Sequence, residues 1–150
     1  MGRKILAILC TVAIFLTLSG CSLKVNDSTI YIPREKVLSA EIQKEYKDGE
    51  KDSYYCKKEI KDSADLDKIC AMVRKLPAVK ASSEHPNPIE DASIIVVLRG
   101  KKDHKLILNE KMAFYDQVAY EYTDKDAYEQ FLEFYNKLNC DEVKTDPSYF

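Results

Sequence analysis

The side chains of this chain best suited to covalent or metal chemistry are five cysteines and two histidines. Cys10 lies in an apolar run, Cys21 follows Leu18-Ser19-Gly20, and Cys56, Cys70 and Cys140 fall in the charged remainder. Thiols act as nucleophiles or ligands in their thiolate form, and a structural zinc site needs ligand pairs at close spacing. No C-x-x-C or H-x-x-x-H spacing occurs, so no metal is expected. A Cys–His nucleophilic pair would have to draw on His85, between prolines, or His104, at the start of a strand-like run. Both read as surface histidines. The carboxylates Glu84, Glu90 and Asp91, and Asp116, Glu121, Asp124 and Asp126, are of the type that performs acid–base chemistry on glycosides or holds calcium. They lack D-x-D-x-D-G spacing, and acids at a helix start already serve as caps. No G-x-S-x-G elbow, G-x-x-x-x-G-K-[ST] loop or H-E-x-x-H helix is present, and 4 Gly leave little for a phosphate cradle. No catalytic residue and no cofactor is assigned, and the expectation is a protein that binds rather than transforms.

Two further sets of residues carry expectations. Cys56 lies four residues before a strand end at Ile60, and Cys70 eight residues after a helix start at Asp62. At about 3.3 Å per strand residue and about 1.5 Å per helix residue, the two sulfurs reach the same height if strand and helix pack antiparallel. A disulfide needs Cα atoms within about 7 Å, near the lower limit for a helix on a sheet. A Cys56–Cys70 bridge, a bridge to Cys140 and buried free thiols therefore all stay open. The chain also has ten Tyr and no Trp, with clusters at Tyr54-Tyr55 and at Phe114-Tyr115, Tyr120 and Tyr122. Tyrosine on an uncovered sheet face contacts partners or glycans, so Tyr115, Tyr120 and Tyr122 are candidate partner-binding residues, with ordinary cross-strand packing as the alternative.

The N-terminal residues read as an address. Arg3 and Lys4 form a positive n-region, and residues 5–18 carry no charge. That run is shorter than the roughly 20 apolar residues a spanning helix needs and suits the hydrophobic segment of an export signal. Leu18-Ser19-Gly20-Cys21 resembles the lipobox of bacterial lipoproteins. The resemblance implies cleavage between Gly20 and Cys21, with a diacylglycerol on the Cys21 sulfur. Two acyl chains hold stably where one holds only marginally. The expected arrangement is a signal peptide over 1–20, a lipidated tether over 21–35, and a domain on the extracytoplasmic face of the cell membrane.

The elements that must position the remaining candidates follow from periodicity. Residues 37–46 alternate, with Leu38, Ala40 and Ile42 on one side and Ser39, Glu41 and Gln43 on the other, as in a half-buried strand. An Asp48-Gly49 turn and a second alternating run over 54–60 predict a hairpin. Asp62 with Asp65 predicts a capped helix through Leu66, Ile69, Cys70, Val73 and Leu76, stopped by Pro77. Residues 79–91 read as a long loop. Residues 93–98 read as a central strand, 105–108 and 112–122 as further strands, the latter breakable at Asp116-Gln117, and 123–138 as a second capped helix. The fold class is α+β, an antiparallel sheet of about five strands in the order ββ-α-βββ-α with helices on one face, over 36–140. Residues 141–150 read as a polar tail.

The segments IKDSADLDKI, ASIIVVLRG and YEYTDKDAYEQF resemble the small uncharacterised lipoprotein domains of Gram-positive bacteria, including the YhfM-like group. That resemblance implies the hairpin–helix–strands–helix layout and no activity. Composition narrows the partners. Charged residues make up 32% and the net charge is -2, which excludes a basic nucleic-acid surface and an acidic disordered chain. Arg3 and Lys4 are the only charges in 1–21, so the remainder carries 21 Lys+Arg against 25 Asp+Glu and is not drawn to anionic lipid by charge. The expected partners are the membrane, through the Cys21 lipid, and an envelope protein or glycan. The expected function is a lipid-anchored binding or accessory module. The alternatives are a small envelope hydrolase using carboxylates near the last strand, and an inhibitory or docking subunit attached by an outer strand edge.

Overall fold

The structure, a computed structural model, describes residues 30, 37–49, 52–82 and 92–146. Cys21, Gly20 and the rest of 1–29, His85, Glu84, Glu90, Asp91 and the terminal Tyr149-Phe150 lie outside the described residues. Among the described residues the architecture is α+β, an eight-stranded antiparallel sheet with two helices. The elements in chain order are β1 (Ser39–Asp48), β2 (Asp52–Ile60), α1 (Ser63–Arg74), β3 (Ala78–Lys80), β4 (Ile94–Arg99), β5 (His104–Leu108), β6 (Met112–Tyr115), β7 (Val118–Tyr122), α2 (Ala127–Lys137) and β8 (Glu142–Thr145).

The strand number corrects the expectation of about five, and the element order differs accordingly. Residues 112–122 divide at Asp116-Gln117, whose φ values of 46° and 73° build a tight turn with both central residues left-handed. Ala78–Lys80 forms an edge strand overlapping the start of the segment read as a loop, and Glu142–Thr145 forms another inside the segment read as a tail. Neither shows alternating burial, and both exist because a neighbour presents a free ladder: β3 pairs with β7 and β8 with β2.

Spatial order is β3-β7-β6-β5-β4-β1-β2-β8. The run β4 to β7 is a meander of consecutive antiparallel neighbours, and the β1–β2 hairpin joins it through β1. The helices make the long returns. α1 leads from β2 near one edge to β3 at the other, and α2 leads from β7 back to β8. Ile69, Cys70 and Val73 of α1 and Phe131, Phe134 and Tyr135 of α2 share one buried cluster with Ile42, Ile94, Val96, Leu98, Leu106 and Leu108. A second cluster, built on Tyr55, Ala92, Ile95, Val97, Ile107 and Phe114, contains no helix residue. β4 belongs to both, and its five residues from Ile94 to Leu98 are all buried. At about 1.5–3 kcal/mol per buried aliphatic side chain, this strand contributes to both clusters of the core.

The caps differ between the helices. Asp62 accepts hydrogen bonds from the Ala64 and Asp65 amides at 2.9 and 3.2 Å, as its spacing predicts. At α2 the residue before the helix, Asp126, makes no side-chain cap, and Asp124 accepts from its amide at 3.0 Å instead. The other end of α2 is closed by Lys58. This buried lysine donates from Nζ to the carbonyls of Tyr135 and Leu138, both at 3.1 Å, and lies 4.8 Å from the Tyr135 ring centre.

Candidate functional site

β2 sends Cys56, Lys58 and Ile60 to the helix-bearing face and Tyr55, Lys57 and Glu59 to the other, because successive strand residues alternate. Cross-strand pairing sets Glu41 opposite Glu59 and Gln43 opposite Lys57. The alternation of residues 37–46 suggests that Glu41 and Gln43 meet solvent, yet both are buried. Charge partners make that burial tolerable. Gln43 donates to Glu41, and Lys57 and Arg99 each approach the Glu41 carboxylate at 3.5 Å.

These contacts belong to a chain of alternating charge. Asp103 pairs with Arg99 at 2.9 Å, Arg99 with Glu41, Glu41 with Lys57, Lys57 with Glu59 at 3.9 Å, and Glu59 with Lys61 at 2.8 Å. Its two ends are short bonds and its middle is long. Charge-assisted hydrogen bonds run to about 2.7–2.9 Å, so Lys57, whose side chain is 29% exposed, has an ammonium that is only loosely held. Close contact with Lys61, and the charge of Lys57 behind it, hold the Glu59 carboxyl below its ordinary range, and the same contact raises the Lys61 amine.

A cleft of about 350 Å³ opens where β2 meets β8 and the α2–β8 connection, lined by Lys57, Glu59, Lys61, Cys140, Asp141 and Val143. Lys57 and Lys61 stand against Glu59 and Asp141, and Cys140 and Val143 supply softer surface. Burial pushes the Cys140 thiol up, a trend that the neighbouring Lys58 opposes and Asp65 and Asp141 reinforce. A thiol so shifted is a poor nucleophile. The cleft offers ion pairing and apolar contact.

The cysteines expected to face each other do not bridge: Cys56, Cys70 and Cys140 are free thiols. Cys70 sits in the helix-side cluster, whereas Cys56 is opposite Lys144 of β8, with its carbonyl accepting from the Tyr135 hydroxyl at 3.2 Å. α2, not α1, covers β2 at that height. Burial raises both thiols.

Tyr115, Tyr120 and Tyr122 share the helix-bearing face, not the face the helices leave uncovered. Tyr115 is buried with its hydroxyl unpartnered, and Tyr120 and Tyr122 pack against the helix-side cluster. The Tyr122 hydroxyl points at the carbonyls of Asn109 and Met112, at 3.0 and 2.9 Å. Burial drives the phenol of Tyr122 well above its ordinary value, and that of Tyr115 likewise, with Asp116 adding to it.

His104, read as a surface residue, is buried, stacks on Tyr115 with ring centres 5.9 Å apart, and meets Asp116 at 2.7 Å through Nδ1. Asp116 also accepts from the Lys105 amide at 3.0 Å, so the pair ties the β6–β7 turn to β5. Asp116 and Asp124 lie beyond opposite ends of β7, a strand of 5 residues about 16 Å long at 3.3 Å per residue, and do not converge on one reacting atom. Among the described residues, no three His, Cys, Asp or Glu side chains are grouped to hold a metal, and no helix is long and apolar enough to cross a membrane.

Sequence reasoning missed the Glu41–Lys57–Arg99 cluster and the cleft. The one available signal was the hairpin register, which sets the alternating Glu41-Gln43 beside Lys57 and Glu59; β8, the other wall, had no signal. Compared with protein-family models, curated proteins and solved structures, the chain matches none.

Proposed function

We propose that this chain is a lipid-anchored binding or accessory module of the bacterial cell envelope. On this reading Cys21 carries the diacylglycerol, the extracytoplasmic domain presents the cleft between β2 and β8, and the partner is an envelope protein or glycan, or a small molecule. The observation that carries the reading is the cleft, with a half-buried lysine that its own carboxylates hold only at long range. A hydrolase working through the carboxylates around β7 is less well supported, since Asp116 is occupied by His104 and Lys105 while Asp124 holds the Asp126 amide in the turn before α2. Docking through a strand edge is also less well supported. The outermost strands β3 and β8 have three and four residues, and Pro77 precedes one as Pro147 follows the other; short edges beside proline resist added strands.

The anchor is tested by the intact mass of the protein from its native membrane. Residues 21–150 plus a diacylglycerol is the expected mass, and an unlipidated mass, or one retaining 1–20, overturns the anchor. Binding is tested in cells with a photocrosslinking side chain at Val143, exposed on the cleft rim, against the same probe at Lys102 on the β4–β5 turn. Adducts at position 143 alone are expected. Equal yields at both positions contradict the cleft as the site.

A further inference from the structure

The cleft's charge balance narrows the ligand, on the reading that the cleft is the binding site. Its volume of about 350 Å³ lies near the small end of ligand sites, which span roughly 300–1,000 Å³. The wall holds two ammonium and two carboxylate groups, so a ligand of a single charge sign meets as much repulsion as attraction. The four groups are unequally engaged. Lys61 and Glu59 satisfy each other at 2.8 Å. Lys57 sits 3.5 Å from Glu41 and 3.9 Å from Glu59, beyond the range of a good charge-assisted bond. Asp141 makes no ion pair among the described residues. One wall, on β2, thus carries an under-used cation, and the other, on the α2–β8 connection, an unpaired anion. Val143, 53% exposed, and Cys140 offer apolar contact.

We infer that the cleft binds a small zwitterion of amino-acid or dipeptide size, its carboxylate on Lys57, its ammonium on Asp141 and its side chain against Val143 and Cys140. Neither end then needs to break the Lys61–Glu59 pair. The two contacts require opposite charges at separate points of one molecule, and this distinguishes the ligand from a simple anion or a neutral sugar.

The test is an amide NMR titration of the full chain in detergent micelles with L-Ala-L-Ala, N-acetyl-L-Ala-L-Ala, succinate and N-acetylglucosamine. The free dipeptide is expected to shift the amides of residues 57–61 and 140–143. Asp141→Asn, at an exposed position whose loss leaves the fold intact, is expected to weaken it about tenfold, and N-acetylation by a similar factor. The two losses are expected not to add, because both remove one contact. Lys57→Gln is expected to weaken free and acetylated dipeptide alike. Equal affinity for free and acetylated dipeptide, or an unchanged affinity in Asp141→Asn, overturns the inference. Succinate or the sugar moving these amides while the dipeptide does not overturns the zwitterion and leaves the binding site standing. If no probe moves them, both fall.

Discussion

Lys57 and Lys58 are adjacent on β2 and point to opposite faces of the sheet. Lys58 is buried on the helix side, where two carbonyls at the end of α2 take its ammonium at 3.1 Å and the Tyr135 ring lies beneath it. Lys57 is half-buried on the other side, shared at 3.5 and 3.9 Å between two carboxylates, and faces a cleft. The same contrast runs through both faces. On the helix side three polar side chains close on backbone, Lys58 on α2, the Tyr135 hydroxyl on the Cys56 carbonyl and the Tyr122 hydroxyl on Asn109 and Met112, while His104 closes on Asp116 and the Tyr128 hydroxyl on Ser93. On the other side Glu41, Gln43, Lys57 and Arg99 close on one another, by long contacts in the middle of the chain. Polar groups satisfied by backbone are committed to the fold, whereas charges satisfied loosely by other charges can be redirected to a ligand at little cost.

The contrast can be broken or sharpened by substitution. The largest effect is expected from Phe131→Ala in the helix-side cluster, at about 3–5 kcal/mol in urea unfolding; a loss below about 1 kcal/mol would mean the helices contribute little to the core. Next come two tyrosines of that face. Tyr122→Phe removes a hydroxyl that serves two carbonyls and is expected to cost about 1–2 kcal/mol, while Tyr115→Phe removes an unpartnered one and is expected to be neutral or stabilising. Equal losses at both sites would show that the Tyr115 hydroxyl has a partner. Thiol labelling comes third. Cys140, half-buried in the cleft, is expected to react before Cys56 and Cys70, which wait for unfolding. Because burial raises the Cys140 thiol, its reaction in the folded chain is slow near neutrality and accelerates as pH rises past the ordinary thiol range of about 8.5, whereas Cys56 and Cys70 react only as fast as the chain unfolds. Faster labelling of Cys56 or Cys70 in the folded chain would contradict their placement.

The smallest effect belongs to the exposed Glu59–Lys61 pair. Lys61 holds the Glu59 carboxyl low, so the pair's contribution is present above the ordinary glutamate range and is lost as pH falls through the lowered value. Glu59→Gln is expected to shift the unfolding midpoint slightly at neutral pH and not at all once the pH lies below the lowered Glu59 value. A shift that persists in acid would show that Glu59 acts through something other than its charge.

How much of this was legible in the sequence depends on whether a segment carries its own periodicity. The β1–β2 hairpin, α1 with its Asp62 cap and Pro77 stop, the buried β4 and α2 all do, and each lies where its pattern places it. β3 and β8 carry none: one of the seven residues in these two strands is buried, and a free ladder on β7 or β2 defines them. The site was illegible for the same reason, since one wall is β8. Alternation correctly separates the faces of β1, yet it cannot say that the polar side is also buried, which depends on Lys57 and Arg99 arriving from β2 and β4. The tyrosine cluster misleads in the opposite sense. Aromatic residues at period two mark a shared face, and here that face is the one the helices cover.

The division between the committed Lys58 and the loosely held Lys57 is tested most directly by unfolding Lys57→Met and Lys58→Met side by side in urea. Lys58→Met is expected to lose about 1–3 kcal/mol, because it strands two buried helix-end carbonyls. Lys57→Met is expected to lose less than about 1 kcal/mol, since Glu41 keeps Arg99 and Gln43. Equal losses, or the larger loss at Lys57, would contradict the division and with it the assignment of the cleft as the binding side.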